Sequence, residues 1–402
     1  MHMTTFSPLI RSLQGSRISA ITDLVAQLKR DGRNLYDFSM GQPDFVTPQY
    51  ICDAAKAAMD RGDTGYTPTT GTFSLKQAVC EKYQRDNDLH FEPANIAIGS
   101  GAKPLITDIL RTLAGPGDEI IVAAPCWTCH PGMIRLVGAD PMLIRTGEDS
   151  GFKMTPASLS AAITDQTRVL VMNAPSNPTG AIYSKEELAA LSEVLIEHPG
   201  IWLVTDDLYE YIVFDGQKCS SILEVAPDLG ERTILINGVS KAFAMTGWRV
   251  GYAAGPQAVM DNLNKLMSNG TGCPSSISQA AAEAAIRGPM DFVRKTVAAY
   301  EERRNFMVPA LNEVPGITCL NPGGAFYLYP GLEGLIGTRT PSGKEIQSSS
   351  DFVTYLLENW SVVTVPGAAF ELDPHMRISI AASNQELEQG MAQISKAVAA
   401  LS

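Results

Sequence analysis

Residues 233–253 read TILINGVSKAFAMTGWRVGYA, in which two short apolar runs, 233–236 and 250–253, enclose a loop that carries a lysine and an arginine. Apolar runs without polar–apolar alternation are typical of strands that are buried on both faces of a mostly parallel sheet. Four more such runs precede this stretch, at 95–98, 119–123, 168–172 and 201–204. Helical patterns separate the runs, so we predict an α/β chain whose mostly parallel sheet is sandwiched between helices.

The length of the chain indicates more than one domain. It has 402 residues, whereas single hydrophobic cores stop growing near ~250–300 residues. An amphipathic helix is predicted over 16–30, and a long helix around 291–311 begins a part with shorter strands. We therefore expect a large domain over 46–290 and a smaller α+β domain over 291–402, which the N-terminal segment 1–45 joins.

The composition argues against several classes of protein. The formal net charge is −12 and no run is rich in Lys and Arg, so no nucleic-acid partner is expected. Cys126 and Cys129 form a C-x-x-C pair, which could indicate zinc or redox chemistry, but no second pair completes a zinc site and we expect no metal. Neither a leader pattern nor an apolar run of ~18–20 residues occurs, so a cytoplasmic protein without a membrane partner is expected.

The loop at 240–249 has the residues of a covalent site. Lys241 interrupts an apolar stretch, so its amine should be partly desolvated, which lowers its pKa and makes the neutral amine available for a Schiff base. Arg249, eight positions on, could clamp a phosphate bidentately. In open α/β sheets ligands bind at the carboxyl ends of the strands, and polar or aromatic loops also follow the runs that end near 124, 172 and 205. We expect these loops to form one site.

The string SKAFAMTGWR at 240–249 resembles the lysine motif of the class I aminotransferases, the fold-type I enzymes of pyridoxal 5′-phosphate, and most resembles their prokaryotic-type aspartate aminotransferase subgroup. The similarity continues in order at GQPDF (41–45), GYTP (65–68), AGPGDE (114–119), NPTG (177–180), DDLY (206–209), GAFY (324–327) and RIS (377–379). The resemblance implies the fold of fold-type I pyridoxal-phosphate transferases. It also implies ping-pong transfer of an amino group from an L-amino acid to a 2-oxo acid such as 2-oxoglutarate, in a homodimer with shared active sites.

The resemblance also implies the roles of residues around the cofactor. Lys241 would hold the aldehyde and act in catalysis with Asp206, which would balance the pyridine nitrogen, and with Tyr209. Tyr209 and Asn177 would both donate to the phenolate oxygen. Asp207 is the rival carboxylate to Asp206. The complete cofactor-binding set that the resemblance implies is Gly101, Ala102, Lys103, Trp127, Asn177, Asp206, Tyr209, Ser240, Lys241, Arg249 and, from the neighbouring subunit, Tyr66. Trp127 would stack on the ring, and His130 matches a histidine that supports the pyridine aspartate in animal-type relatives.

The substrate-binding residues implied are Gly41, Trp127, Asn177 and Arg377, of which Arg377 would grip the α-carboxylate. Lys103 could bind a distal carboxylate or simply begin a helix in solvent, and Arg11 and Arg17 are other partners for such a carboxylate. Phe326 and Ile18 are expected to line a side-chain pocket that could accept aromatic or aliphatic substrates instead of aspartate. The peptide bond before Pro178 is expected to be cis by the same resemblance.

Three other functions are weighed against this interpretation. The stretch GSGAKP at 99–104 begins like the G-x-G-x-x-G dinucleotide fingerprint, but proline replaces the third glycine, which disfavours a nicotinamide dehydrogenase. A β-lyase on the same cofactor and fold remains open, because motifs do not determine which bond is broken. A non-catalytic regulatory module that binds pyridoxal phosphate is a more remote alternative.

Overall fold

The computed structural model describes residues 7–13, 15 and 17–402 of the chain. The helices are α1 Pro8–Ser12, α2 Arg17–Arg30, α3 Gln49–Asp60, α4 Phe73–Asn87, α5 Ala102–Leu113, α6 His130–Leu136, α7 Pro156–Ala162, α8 Lys185–Glu197, α9 Ile222–Val225, α10 Gln257–Asn269, α11 Ser276–Arg287, α12 Asp291–Asn312, α13 Ser349–Trp360 and α14 Asn384–Ala399. The strands are β1 Tyr36–Asp37, β2 Ile96–Gly99, β3 Glu119–Ala124, β4 Asp140–Arg145, β5 Thr167–Asn173, β6 Trp202–Asp206, β7 Thr233–Gly238, β8 Gly251–Ala254, β9 Tyr327–Leu328, β10 Val362–Val363, β11 Val365–Pro366 and β12 Met376–Ser379.

A seven-stranded sheet in the order β2-β8-β7-β6-β5-β3-β4 forms the centre of the large part of the chain. Strand β8 runs antiparallel to both of its neighbours, and the other pairs are parallel. This confirms the predicted mostly parallel sheet, and all six predicted runs are strands in it. The seventh strand, β4, was not predicted because it lies at the edge and its sequence DPMLIR begins and ends with exposed charged residues.

Both faces of this sheet are buried, which explains the uniformly apolar strands. On β6 and β7, Leu203 and Leu235 contribute to the cluster that packs against α4, α8 and α11. Their neighbours Val204, Ile234 and Ile236 contribute to a second cluster with α5, α6 and α10. Successive side chains of a strand point to opposite faces, so each strand supplies both clusters and has no polar face.

The smaller part of the fold is built on the antiparallel sheet β11-β12-β9 and on α12, α13 and α14. The N-terminal segment joins it through the parallel pair β1–β10, and Phe38 is buried in the same apolar cluster as Tyr300 and Ile394. We propose domain boundaries near residues 45 and 290 on this basis. Among the helices of the described residues, none is both long and apolar enough to cross a membrane.

Candidate active site

The carboxyl ends of the parallel strands meet at one edge of the large sheet, where a cavity of about 330 Å³ opens. Because β8 is antiparallel, its first residue lies at this same edge, paired with Gly99 and Gly238. Arg249 therefore reaches the cavity from just before β8. The predicted residues that line the cavity are Gly41, Ala102, Lys103, Trp127, Asn177, Asp206, Tyr209, Ser240, Lys241, Arg249 and Arg377.

Lys241 follows β7 and extends into the cavity, where its Nζ donates a hydrogen bond to the Gly41 carbonyl oxygen at 2.6 Å. Burial is the main cause that lowers the pKa of Lys241 to about 8, and the positive charge of Arg377 is the second cause. A lysine with this pKa keeps a substantial neutral fraction near neutral pH. Its amine can therefore act as a nucleophile or a base, as predicted from the apolar context of the loop.

Asp206 is the last residue of β6, beside Asn173 and Ile236 on the neighbouring strands, and is only 5% exposed. Its Oδ1 atom has no hydrogen-bond donor within the part of the chain that is described. His130 Nε2 lies 3.5 Å from Oδ2, but neither ring nitrogen of this histidine forms a hydrogen bond with any residue that the structure describes. A buried carboxylate oxygen without a donor is costly unless a ligand supplies one, so this atom fits a protonated ring nitrogen.

Asp207, the rival carboxylate, does not line the cavity. Its Oδ2 accepts a hydrogen bond from Thr205 Oγ1 at 2.7 Å. Burial raises the pKa of Asp207 to about 8, with the negative charge of Glu210 as a further cause. Asp207 is therefore mainly neutral at pH 7, and the carboxylate that faces the cavity is that of Asp206.

The junction of β2 and α5 has the shape of an anion cradle. Gly101 adopts φ +97°, and a Cβ atom at this position would collide with the guanidinium of Arg249. Gly251 lets β8 approach the backbone of Ala102, the first residue of the 12-residue helix α5. Arg249 itself donates from Nη1 to the Thr246 carbonyl oxygen at 3.0 Å. A helix N-terminus with a guanidinium held beside it suits a phosphate group.

Arg377 comes from β12 in the smaller part and is 1% exposed. Its Nη1 donates to Asn177 Oδ1 at 3.1 Å and its Nη2 to the Ser39 carbonyl oxygen at 2.6 Å, whereas its Nε has no acceptor among the described residues. Burial lowers the pKa of Arg377 from its ordinary value, yet the group stays cationic because that value is so high. The peptide bond before Pro178 is cis, which confirms the prediction for this turn.

Two aromatic groups form walls of the cavity. The Trp127 ring stands edge-on to His130, with ring centroids 5.3 Å apart, and Lys103 Nζ lies 5.1 Å from the Trp127 ring centroid. The hydroxyl groups of Tyr209 and Tyr327 are 2.8 Å apart. Both walls are polar only at their edges, so a planar ring is a suitable occupant.

The charge of the cavity wall is strongly unbalanced. Four cationic side chains line it, from Lys103, Lys241, Arg249 and Arg377, and Asp206 is the one carboxylate among the described residues that line it. Such a wall favours a ligand with several negative charges. A phosphorylated cofactor together with a carboxylate substrate meets this requirement.

Several predicted residues lie elsewhere. Tyr66 is 100% exposed in the single chain and does not line the cavity, so its contribution to a neighbouring subunit stays a prediction. The expectation for Phe326 is corrected: it is fully buried behind Tyr209 and Tyr327, and Tyr327 takes the place on the cavity wall. Arg11 is exposed. The side chains of Arg17 and Ile18 lie outside the described residues.

Other cavity residues were not found from the sequence: Ser39, Met40, Gln42, Ile106, Asn173, Leu208, Thr246 and Tyr327. Asn173 ends β5, so the rule for carboxyl ends of strands could have identified it. Tyr327 is adjacent to Phe326 in the quoted GAFY motif. Adjacent side chains of a strand point to opposite sides, and the sequence does not show which side faces the cavity. Ser39 to Gln42 follow β1, whose place depends on how the smaller part packs.

Comparisons with known proteins agree with this geometry. Residues 33–394 match the family model described as aminotransferase class I and II. The chain is 42% identical to an aspartate/prephenate aminotransferase of Cereibacter sphaeroides over 100% of both chains, and 43% identical to an aspartate aminotransferase of Rhizobium meliloti over 98% of this chain and 96% of that one. The crystal structure of an aspartate aminotransferase from Rhizobium meliloti superposes with a TM-score of 0.97 at 42% identity, covering 100% of both chains. A Thermus thermophilus aspartate aminotransferase with maleate gives a TM-score of 0.92 at 33% identity, covering 98% of this chain and 100% of that chain.

Proposed function

We propose that this chain, which belongs to the class I and class II aminotransferases, transfers the amino group of aspartate to a 2-oxo acid such as 2-oxoglutarate in two successive half-reactions. The family match and the full-length relatives make it a pyridoxal-phosphate-dependent aminotransferase. The identity of the amino acid, the order of the steps and the roles of individual residues are the proposal. The observation that carries it is the cavity itself, which is lined by a lysine of lowered pKa, by three further cations and by a buried carboxylate whose Oδ1 has no hydrogen-bond donor among the described residues.

The residues present fit the cofactor at each of its polar groups. Ser240, Arg249 and the N-terminus of α5 would hold the phosphate, and Asp206 would accept from the ring nitrogen through its free Oδ1. Lys241 would hold the aldehyde carbon through Nζ. When bound, pyridoxal phosphate supplies an electron sink for the charge that develops at Cα of the amino acid.

The chain's own residues then bind the substrate and move its proton. Arg377 holds the α-carboxylate, and its contacts to Asn177 and the Ser39 backbone fix the plane of the guanidinium. The neutral Lys241 amine, which its lowered pKa makes available, takes the proton from Cα and later returns one. Asp206 keeps its negative charge beside the ring nitrogen throughout. One cavity serves both substrates, so the first 2-oxo acid must leave before the second enters, which gives ping-pong kinetics.

The preference for aspartate rests on charge and on relatives. The Rhizobium protein is an aspartate aminotransferase, and the Thermus enzyme was solved with maleate, a four-carbon dicarboxylate. Lys103 Nζ lies over the ring of Trp127 and has no carboxylate partner among the described residues, so its ammonium could receive the distal carboxylate. The wholly exposed Tyr66 supports the further proposal of a homodimer whose partner covers this ring and shares the site.

A panel of amino acids tests the proposed activity. The purified enzyme with pyridoxal phosphate and 2-oxoglutarate is incubated with aspartate, alanine, phenylalanine or leucine, and glutamate is measured alongside pyruvate and ammonia. Glutamate formed fastest from aspartate is the expected result, and Lys103→Gln should weaken the use of aspartate but not of alanine. Lys56→Gln, on the exposed face of α3, is the matched control. A cysteine S-conjugate added to the panel tests the alternative, because β-elimination requires a leaving group on Cβ. Pyruvate and ammonia formed from it, without glutamate from any amino acid, would establish a β-lyase and overturn the proposal.

A further inference from the structure

Tyr327, at the start of β9, is a cavity residue to which the proposed mechanism gives no task. Its side chain is buried, its ring lines the cavity and its hydroxyl lies 2.8 Å from the hydroxyl of Tyr209. Within the described residues, neither hydroxyl has a second hydrogen-bond partner. Each hydroxyl carries one proton and only one of the two protons can lie between the oxygens. The other proton must therefore point away from the pair.

The surroundings indicate which tyrosine is the donor. The Arg377 guanidinium carbon lies 4.5 Å from the ring centroid of Tyr327, a position that stabilises negative charge on this phenol and so makes its hydroxyl a stronger donor. Burial raises the pKa of Tyr327, while the positive charge of Arg377 and the hydrogen bond that Tyr327 shares with Tyr209 lower it. For Tyr209, burial and the neighbouring Tyr327 both raise the pKa, well above its ordinary value. Tyr327 is therefore the more acidic of the two.

We infer that Tyr327 is a positioning residue, which donates its hydroxyl proton to the oxygen of Tyr209 and thereby leaves the proton of Tyr209 directed into the cavity. There the Tyr209 proton is free to meet the phenolate oxygen of the bound cofactor. The same tyrosine ring supports the guanidinium of Arg377 on the substrate side. Tyr327 thus connects the carboxylate-binding arginine with the cofactor-binding tyrosine, and this inference rests on the proposed roles of those two residues.

The test uses the holoenzyme and the pH at which the visible absorption band of the cofactor on Lys241 changes. A donor to the phenolate oxygen stabilises the deprotonated form of the bound cofactor, so a weaker donor moves the midpoint to higher pH. A net hydrogen bond contributes about 0.5–1.5 kcal/mol, or about two- to tenfold in affinity. This range is the upper limit for Tyr327→Phe, because the variant weakens the bond from Tyr209 to the phenolate oxygen but does not remove it, so the proton affinity of the bound cofactor should rise by up to about tenfold. Tyr209→Phe should raise the proton affinity of the bound cofactor more, because it removes the direct donor. The double variant should equal Tyr209→Phe, because Tyr327 acts through Tyr209.

Tyr329→Phe is the matched control, because this buried tyrosine on the same segment donates to the Leu372 carbonyl oxygen at 3.0 Å and does not line the cavity. Its midpoint should equal that of the wild type. If Tyr327→Phe fails to fold, 3-fluorotyrosine at position 327 replaces it, and this stronger donor should move the midpoint to lower pH.

Two outcomes would overturn the inference: an unchanged or lowered midpoint in Tyr327→Phe, or additive shifts in the double variant. A lowered midpoint would mean that Tyr209 had been donating to Tyr327. A wild-type enzyme without any cofactor band would instead contradict the proposed function. The two failures are therefore distinguishable, since one is seen in the wild type and the other in the variants.

Discussion

Gly101→Ala is expected to weaken cofactor binding by displacing Arg249. Gly101 has φ +97° and ψ 162°, a region that is essentially restricted to glycine and costs other residues about 1–3 kcal/mol. The added methyl group would also collide with the guanidinium of Arg249. The end of an arginine side chain moves more easily than the backbone, so the guanidinium should leave its place beside the N-terminus of α5.

The size of the effect follows from the contact that is lost. A hydrogen bond to a charged group is worth about 1.5–3 kcal/mol, which corresponds to an increase in the dissociation constant of about 10- to 150-fold. The strain should in addition lower the free energy of unfolding of the apoenzyme by about 1–3 kcal/mol. Titration of apoenzyme with pyridoxal phosphate, followed by absorbance, gives the first quantity, and denaturant unfolding gives the second.

Gly200→Ala is the matched control, because nothing lies within 4 Å of a Cβ atom there and its φ is not in the left-handed region. It should bind the cofactor as the wild type does. Adding Arg249→Gln to Gly101→Ala should weaken binding little further, because both changes remove the same contact. An unchanged dissociation constant in Gly101→Ala, with normal stability, would refute the role of this junction as the phosphate cradle.

Three further predictions concern buried ionisable side chains. Burial lowers the pKa of Lys241 from 10.5 to about 8, so the unfolded apoenzyme binds more protons between these values and stability should rise with pH across them. The gain in the free energy of unfolding is at most about 3 kcal/mol. Denaturant titrations at several pH values should show this gain in the wild type and not in Lys241→Met, and an equal pH dependence of the two proteins would count against it. Arg377→Lys keeps the charge but cannot hold Asn177 and the Ser39 carbonyl together, so KM for aspartate should rise at least about tenfold; steady-state kinetics with an unaltered KM would disprove this. Burial lowers the pKa of His375, so the unfolded chain takes up more protons below pH ~6.5 and stability should fall as the pH drops. His375→Phe should lose less stability over that range, and an equal loss in thermal unfolding would exclude the effect.

Much of the fold and site could be predicted because the strands and the motifs are local in sequence. Uniform apolar runs predicted six of the seven strands of the large sheet, and their carboxyl ends brought Lys241, Asp206 and Trp127 to one edge as expected. The edge strand β4 was missed because exposure at the sheet edge allows charged residues that the pattern does not include. The position of Arg249 before the antiparallel strand β8 became clear only with the sheet order.

The remainder depends on tertiary packing. Residues Ser39 and Tyr327 reach the cavity because the smaller part of the chain lies against the large sheet, and no local pattern specifies that orientation. The prediction that Phe326 lines the cavity was wrong for the same reason, since adjacent residues of a strand face opposite sides and Tyr327 faces the cavity instead. The choice between Asp206 and Asp207 was made by resemblance, and the structure places Asp206 in the cavity.

The central claim is that the cofactor is held by the buried amine of Lys241, opposite the carboxylate of Asp206. Reduction of the holoenzyme with borohydride fixes the cofactor covalently on the lysine that holds it, and peptide mass spectrometry then identifies that lysine. The account predicts a single modified peptide that contains Lys241. Modification of Lys103 or any other lysine instead, or no modification at all, would contradict it.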